Sequence, residues 1–191
     1  MAFRNDQVSE GETKKIIELA KEALGVEGDF VEMGCYKGDT SLVLAEIIQG
    51  SGRRLFIYDS FEGLPEKSKE DESVLGDNFK GGELLVSKKE VKSRFLRAGL
   101  PVPVIKKGWF SELSGLDMPE KIAFAFLDGD FYESIRDSLK LVLPRMVPGG
   151  VLIVHDYTNP ALPGVKRAVG EVFSEFNIGV EEKSLLTFLL L

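Results

Sequence analysis

The sequence predicts an α/β fold: a mainly parallel sheet with helices packed on both faces. Two observations predict it, and a third places the function. Five apolar runs of strand length alternate with segments of helical periodicity. A chain of 191 residues suffices for one sizeable core and hardly for two, so residues 1–191 read as a single domain. The predicted strands also end in acids, glycines and aromatics, where open α/β sheets bind their ligands.

Each element has its own warrant. Ile16, Ala20, Ala23 and Leu24 recur at helical spacing. Ser9 with Glu12 predicts a capping box before them, and Gly25 a stop after them. Asp29 to Gly34, "DFVEMG", predicts a buried strand. Asp39 or Thr40 then caps a helix carrying Val43, Leu44, Ile47 and Ile48 inward. Arg54 to Asp59, "RLFIYD", is the second strand. Glu62 to Val86 is rich in Gly, Glu, Lys and Asp and predicts a mobile loop or lid, with "KSKEDES" (Lys67 to Ser73) a solvated part of it. Ser87 with Glu90 opens a helix that turns Val91, Phe95 and Ala98 inward. "PVPVIKKG" is a short strand, Ile122 to Leu127 the next, and Ile135, Leu139, Val142 and Leu143 mark the helix between it and the fifth strand, "PGGVLIVHD". Pro163 suits the first turn of a last helix bearing Val165, Val169, Val172, Phe173 and Phe176. "LLTFLLL" predicts a closing strand, buried or covered by a second subunit in a homodimer.

Composition excludes several functions. Lys and Arg number 24 against 31 Asp and Glu, a net charge of −7, which disfavours nucleic acid and anionic membranes as partners. No charged-then-apolar leader and no run of about 18 apolar residues is visible, so secretion and membrane spanning are unsupported and a cytoplasmic location is the default. One cysteine, Cys35, rules out an intrachain disulfide and a cysteine-based zinc cluster; it reads as a small buried thiol.

The strand ends carry the functional signal. "VEMGCYKGDTS" puts Glu32, Gly34 and Gly38 at the first strand–helix turn, either a plain tight turn or a place where a ligand meets backbone N–H groups. Asp59 ends the second strand where an acid can hold the two hydroxyls of a ribose, or cap a turn. Trp109 and Phe110 follow the third strand, as core rings or as an adenine cover. Together these describe a nucleoside-type ligand. They do not describe a diphosphate, since no glycine-rich phosphate cradle with a lysine is present.

In order along the chain, "FVEMGCYKGDTS", "LFIYDSFEGLP", "KKGWFSEL", "FLDGDFYESIRDSL" and "PGGVLIVHDY" resemble the macrocin O-methyltransferase family, S-adenosylmethionine-dependent enzymes that methylate sugar hydroxyls of antibiotics. The resemblance runs from about Asp29 to Phe176. It implies the Rossmann-like class I methyltransferase fold, seven strands with the last antiparallel. It implies cofactor contacts along the matched motifs, from Glu32, Gly34, Tyr36, Gly38, Thr40 and Ser41 after the first strand, from Asp59, Ser60 and Phe61 after the second, and from Gly108, Trp109, Phe110 and Asp128. It also implies a divalent metal, magnesium or else manganese, held by Asp128, His155 and Asp156. The acceptor would be a small hydroxylated molecule.

Such chemistry explains two carboxylates at a strand end. An alcohol is a poor nucleophile near neutral pH, and a cation held by oxygen ligands makes it more acidic and orients it. Asp128 and His155 are the candidate catalytic residues. Asp130 reads as a supporting acid or helix cap. His155 departs from the family, which has an aspartate there. It is a metal ligand favouring manganese, iron or zinc, a general base, or a buried histidine without chemical role. The alternatives to a methyltransferase are a nicotinamide-dependent oxidoreductase, disfavoured by an incomplete three-glycine fingerprint, and a non-catalytic cofactor-binding domain.

Overall fold

The computed structural model describes residues 7–76, 79–178 and 187–190. Six strands form one sheet: β1 (Asp29–Met33), β2 (Leu55–Asp59), β3 (Val104–Lys107), β4 (Ile122–Leu127), β5 (Met146–Val154) and β6 (Thr187–Leu190). Their order is β3-β2-β1-β4-β5-β6. All neighbours pair parallel except β5 and β6, which are antiparallel. Six apolar runs read as strands and six strands form. The seventh rests on the family resemblance alone and has no counterpart among the described residues.

Side chains alternate across a strand, so period two decides which layer each residue meets. Phe30 of β1 and Phe124, Phe126 and Ile153 of β4 and β5 pack toward α1 (Glu10–Glu22), α2 (Asp39–Ile48) and α3 (Lys88–Ala98). Val31, Met33, Ala125, Leu127 and Val154 pack toward α4 (Tyr132–Val142) and α5 (Pro163–Glu175). The central strands are apolar on both faces because each face has its own helix layer.

The caps show where local pattern decides and where it does not. Ser9 and Glu12 close the expected capping box: Glu12 N–H donates to Ser9 Oγ (3.3 Å) and Ser9 N–H to Glu12 Oε2 (2.9 Å). Ser87 caps α3 as expected, but Ala98 is exposed. Helix α2 starts one residue before the expected caps: Gly38, at φ 81°, is its N-cap, with no side-chain cap. Its inward face is Leu42, Leu44, Ala45 and Ile48, while Val43 is half-buried. On α5, Phe176 lies just past the helix and is 40% exposed.

The segment read as a mobile loop or lid, 62–86, has backbone pairing of its own and buried residues, so "KSKEDES" is not wholly solvated. Leu64 pairs through its backbone with Glu83 and Gly82. Leu64 and Val86 are buried. Within "KSKEDES", residues Lys69–Asp71 form a short 3-10 turn, and Asp71 is 1% exposed. Its Oδ1 accepts the Tyr132 N–H at 2.7 Å, and its Oδ2 accepts the Ser68 N–H and hydroxyl at 3.0 and 2.6 Å. The amide at the start of α4 needed an acceptor, and Phe131, its N-cap, has none to give. A polar-looking residue is therefore core, because its charge is spent on backbone donors.

Candidate active site

Strand order reverses beside β1, which lies between β2 and β4, so the cleft opens above their carboxyl ends. Packing there is tight. A Cβ on Gly34 (φ 88°) would stand 2.0 Å from the Asp128 carbonyl oxygen. This glycine is demanded by the neighbouring strand before any ligand arrives. Among the described residues, seven non-glycine residues have positive φ, and four sit two or three residues past a strand end at this rim: Tyr36, Phe61, Asp130 and Asp156. Left-handed backbone is costly for such residues and gathers where side chains must be aimed.

The β1–β2 half is held by backbone amides. Asp59 Oδ2 accepts the N–H groups of Cys35 (2.9 Å) and Tyr36 (3.3 Å), and its Oδ1 accepts the N–H of Phe61 (2.7 Å). The aspartate thus sets the turns after both strands. Glu32 is fully buried and accepts a hydrogen bond from the Ser41 hydroxyl through Oε2. Its Oε1 has no hydrogen-bond partner among the described residues. Burial, reinforced by Asp128, Asp59 and Asp39, pushes its carboxyl up to about 8. Arg94 of α3 braces the α2 start, donating to the Lys37 carbonyl and to the Asp39 carboxylate. Cys35 is buried beside this turn, and burial pushes its thiol well up.

The β4–β5 half is held by side chains. His155 is 6% exposed. Its Nδ1 stands 3.1 Å from Asp128 Oδ1 and 2.8 Å from Asp156 Oδ2. Burial opposes the imidazolium, but the two carboxylates prevail and push its pKa up to about 12. Asp156 also accepts from the Asn159 amide at 2.8 Å. Phe126 meets the imidazole edge-on, ring centres 6.0 Å apart. Asp130 is driven well up by burial and by Asp128 and Asp156. It does not cap α4; Asp71 does.

One cleft is lined by Glu32, Gly34, Tyr36, Thr40, Asp59, Ser60, Gly108, Trp109, Phe110, Asp128, His155 and Asp156, all read as site residues from sequence. Gly38, Ser41 and Phe61 are not in its wall. Gly38 packs on Val91, Ser41 holds Glu32, and Phe61 is buried in the core. Sequence reasoning did not name Val8, Leu64, Phe79, Leu84, Ser134 and Asn159 individually as site residues, and they also line the wall. Most come from loops without periodicity. Leu64 and Ser134 lie inside the quoted motifs "LFIYDSFEGLP" and "FLDGDFYESIRDSL", and Asn159 follows "HDY".

A model of the macrocin O-methyltransferase (TylF) family matches residues 12–181. The chain belongs to the macrocin O-methyltransferase family. It is 33% identical over 162 residues to the 8-demethyl-8-(2,3-dimethoxy-alpha-L-rhamnosyl)-tetracenomycin-C 4'-O-methyltransferase of Streptomyces olivaceus, covering 81% of this chain and 61% of that protein. It is 29% identical over 180 residues to the demethyldecarbamoylnovobiocin O-methyltransferase of Streptomyces niveus, covering 88% and 67%. The solved O-methyltransferase NovP superposes with a TM-score of 0.80 at 26% identity, over 93% of this chain and 78% of that one. The calicheamicin methyltransferase CalS11, at 19% identity and a TM-score of 0.79 over 98% and 80% of the two chains, shows the fold alone. The chain spans 61% and 67% of the length of these two curated relatives. No helix among the described residues is long and apolar enough to cross a membrane.

Proposed function

We propose that this chain transfers a methyl group from S-adenosylmethionine to a hydroxyl of a small molecule, most specifically a sugar of a natural product, with help from a divalent cation. One observation carries the reading: a single cleft joins an acid-lined turn suited to a nucleoside cation, Glu32 with Asp59, to a second acid cluster, Asp128 with Asp156, within reach of an acceptor. Family membership supports it, as do relatives named for methylating a rhamnosyl group and a novobiocin precursor.

The residues fit both absent groups. S-adenosylmethionine, when bound, supplies a methyl on a positively charged sulfur. The unpartnered Oε1 of Glu32 and the oxygens of Asp59 offer acceptors to its amino and ribose donors, and Trp109 and Phe110 offer apolar faces. Asp128, His155 and Asp156 each offer one ligand atom, all within 4.8 Å of one another. Two carboxylates and an imidazole are donors suited to a divalent cation, and these three side chains would hold it. The ion, when bound there, lowers the pKa of a coordinated hydroxyl and orients it.

The chain's own work is alignment. In the transfer a C–O bond forms, the C–S bond breaks, and the hydroxyl proton leaves. Asp128 would accept that proton through a hydrogen bond, while the Nδ1 of His155 faces Asp128 and Asp156. Leu64, Phe79, Leu84 and Phe110 line an apolar stretch of the wall and keep bulk water from the reacting oxygen.

Titration calorimetry with S-adenosylhomocysteine and with NAD tests the cofactor. The expected result is binding of the first and not the second; the reverse overturns the reading. Methyl transfer to a rhamnosylated acceptor, followed by mass spectrometry with and without EDTA, tests the cation. A rate indifferent to chelation removes Asp128, His155 and Asp156 from that role.

A further inference from the structure

His155 presents its two nitrogens to three carboxylates. Nδ1 faces Asp128 and Asp156. Nε2 is buried without a hydrogen-bond partner among the described residues, and 3.5 Å away stands Oε1 of Glu12, from the first turn of α1. The Glu12 carboxylate is itself fixed. Its Oε2 accepts the N–H and hydroxyl of Ser9 at 2.9 and 2.6 Å, which turns Oε1 toward the imidazole. Its side chain is 14% exposed, so the pair sits under the helix rather than in open water. The helix is anchored in turn by Ile16, Leu19 and Ala20 on its buried face. A carboxylate behind a histidine fixes which ring nitrogen carries the proton and leaves the other as a ligand.

We propose that Glu12 is the positioning residue that aims His155 Nδ1 at Asp128 and Asp156, and that the resulting set of one nitrogen and two carboxylates favours manganese(II) over magnesium. The proposal rests on the metal-assisted reading of this rim but not on methyl transfer. Magnesium demands oxygen ligands in near-ideal octahedral geometry, and an imidazole in the set moves preference toward first-row transition ions. The capping box thereby acquires a second task. The motif that starts α1 also orients a residue on the far side of the cleft, 143 positions along the chain.

The test is binding of the metal alone to the full, chelator-stripped chain, with no methyl donor or acceptor present. Free manganese(II) is followed by its electron paramagnetic resonance signal, and magnesium is added as competitor. The parent chain should bind manganese and release it to magnesium only at about tenfold or greater excess. Glu12→Ala should weaken manganese binding about 10- to 100-fold, as loss of such a partner typically does, and Glu12→Gln should restore most of it by keeping an acceptor behind Nε2. His155→Asp should reverse the preference toward magnesium. Ser9→Ala, which removes the hydroxyl donor to Oε2 but keeps the Ser9 N–H and the Glu12 carboxylate, separates helix fraying from positioning and should cost clearly less affinity than Glu12→Ala. Circular dichroism confirms that each variant is folded. The proposal is overturned if the parent binds no manganese, if magnesium competes equally, if Glu12→Ala binds as the parent does, or if Ser9→Ala loses as much affinity as Glu12→Ala. Because the assay omits methyl donor and acceptor, a chain that binds manganese as described yet methylates nothing would refute the transferase reading and leave this one standing.

Discussion

The two halves of the cleft hold their acids by different means. Beside β1 and β2, Asp59 accepts from three backbone N–H groups and Glu32 Oε2 from the Ser41 hydroxyl, so the acids are part of the turn that presents them. Beside β4 and β5, Asp128 and Asp156 are satisfied by a histidine side chain. The first half is set once the backbone folds. The second is a set of like charges kept together by one imidazole, and it can exchange that partner's proton for a cation. Preorganised geometry suits a cofactor common to a whole class of enzymes, and an adjustable charge cluster suits the reacting oxygen.

The sharpest way to break this contrast is Asp128→Asn. It keeps the shape and removes the charge, and it should nearly abolish turnover while leaving S-adenosylhomocysteine affinity within about tenfold, roughly 1.4 kcal/mol. Calorimetry beside a single-turnover assay reads both. Full activity in that variant would show that the β4–β5 acids are not the acceptor side.

Asp59→Ala should do the opposite. It removes the acceptor proposed for the ribose and frees the three amides that set the cofactor turns, so cofactor affinity should fall by about a thousandfold, roughly 4 kcal/mol. If cofactor binding survives while turnover fails, the roles of the two halves have been assigned the wrong way round.

Much of this division was legible in the sequence, and the limit of legibility is physical. An acid at the end of an apolar run stands out because strand ends are defined locally, and that was enough to find Asp59, Asp128 and Asp156. Partners were not legible. The Glu12 contact with His155 and the Tyr132 contact with Asp71 join residues far apart in the chain, and no periodicity encodes either. The glycine at 34 was visible as a turn residue, but its cause, the carbonyl of Asp128 on the adjacent strand, appears only once the strands are side by side. Gly38 replaced the expected Asp39 or Thr40 cap because a left-handed glycine starts the helix without a side-chain acceptor, and Asp39 went to Arg94 instead.

Glu32 offers a test within the rigid half. Its carboxyl moves from 4.5 up to about 8 in the folded chain. Between those values the folded state binds a proton that the unfolded state has released. Stability should therefore be greatest at the acid end of that window and decline as pH rises through it. Glu32→Gln removes the decline. Denaturant titrations of the ligand-free chain at pH 5 and pH 8 should differ less in the variant than in the parent, by on the order of 3 kcal/mol. Equal pH slopes in the two proteins would mean that Glu32 is ionised and solvated, and that the β1 half is as open to water as the β4 half.

Asp71→Ala makes the smallest expected change and sharpens the contrast from outside the cleft. The residue tethers the 62–86 segment to the first turn of α4, directly after the Asp128–Asp130 stretch. Losing a helix cap costs about 1 kcal/mol, and an amide left without its acceptor adds a similar amount, for a total of about 2 kcal/mol. That corresponds to a fall in Tm of roughly 4–8 °C for a chain of this size. Asp71→Asn should lose less, because an amide oxygen can still accept from Tyr132. Cofactor affinity should be unchanged in both, since Asp71 hydrogen-bonds Ser68 and Tyr132 and not the β1–β2 turns among the described residues. If Asp71→Ala weakened cofactor binding instead, the loop would have to brace the β1–β2 turns as well, and the two halves would form one coupled unit.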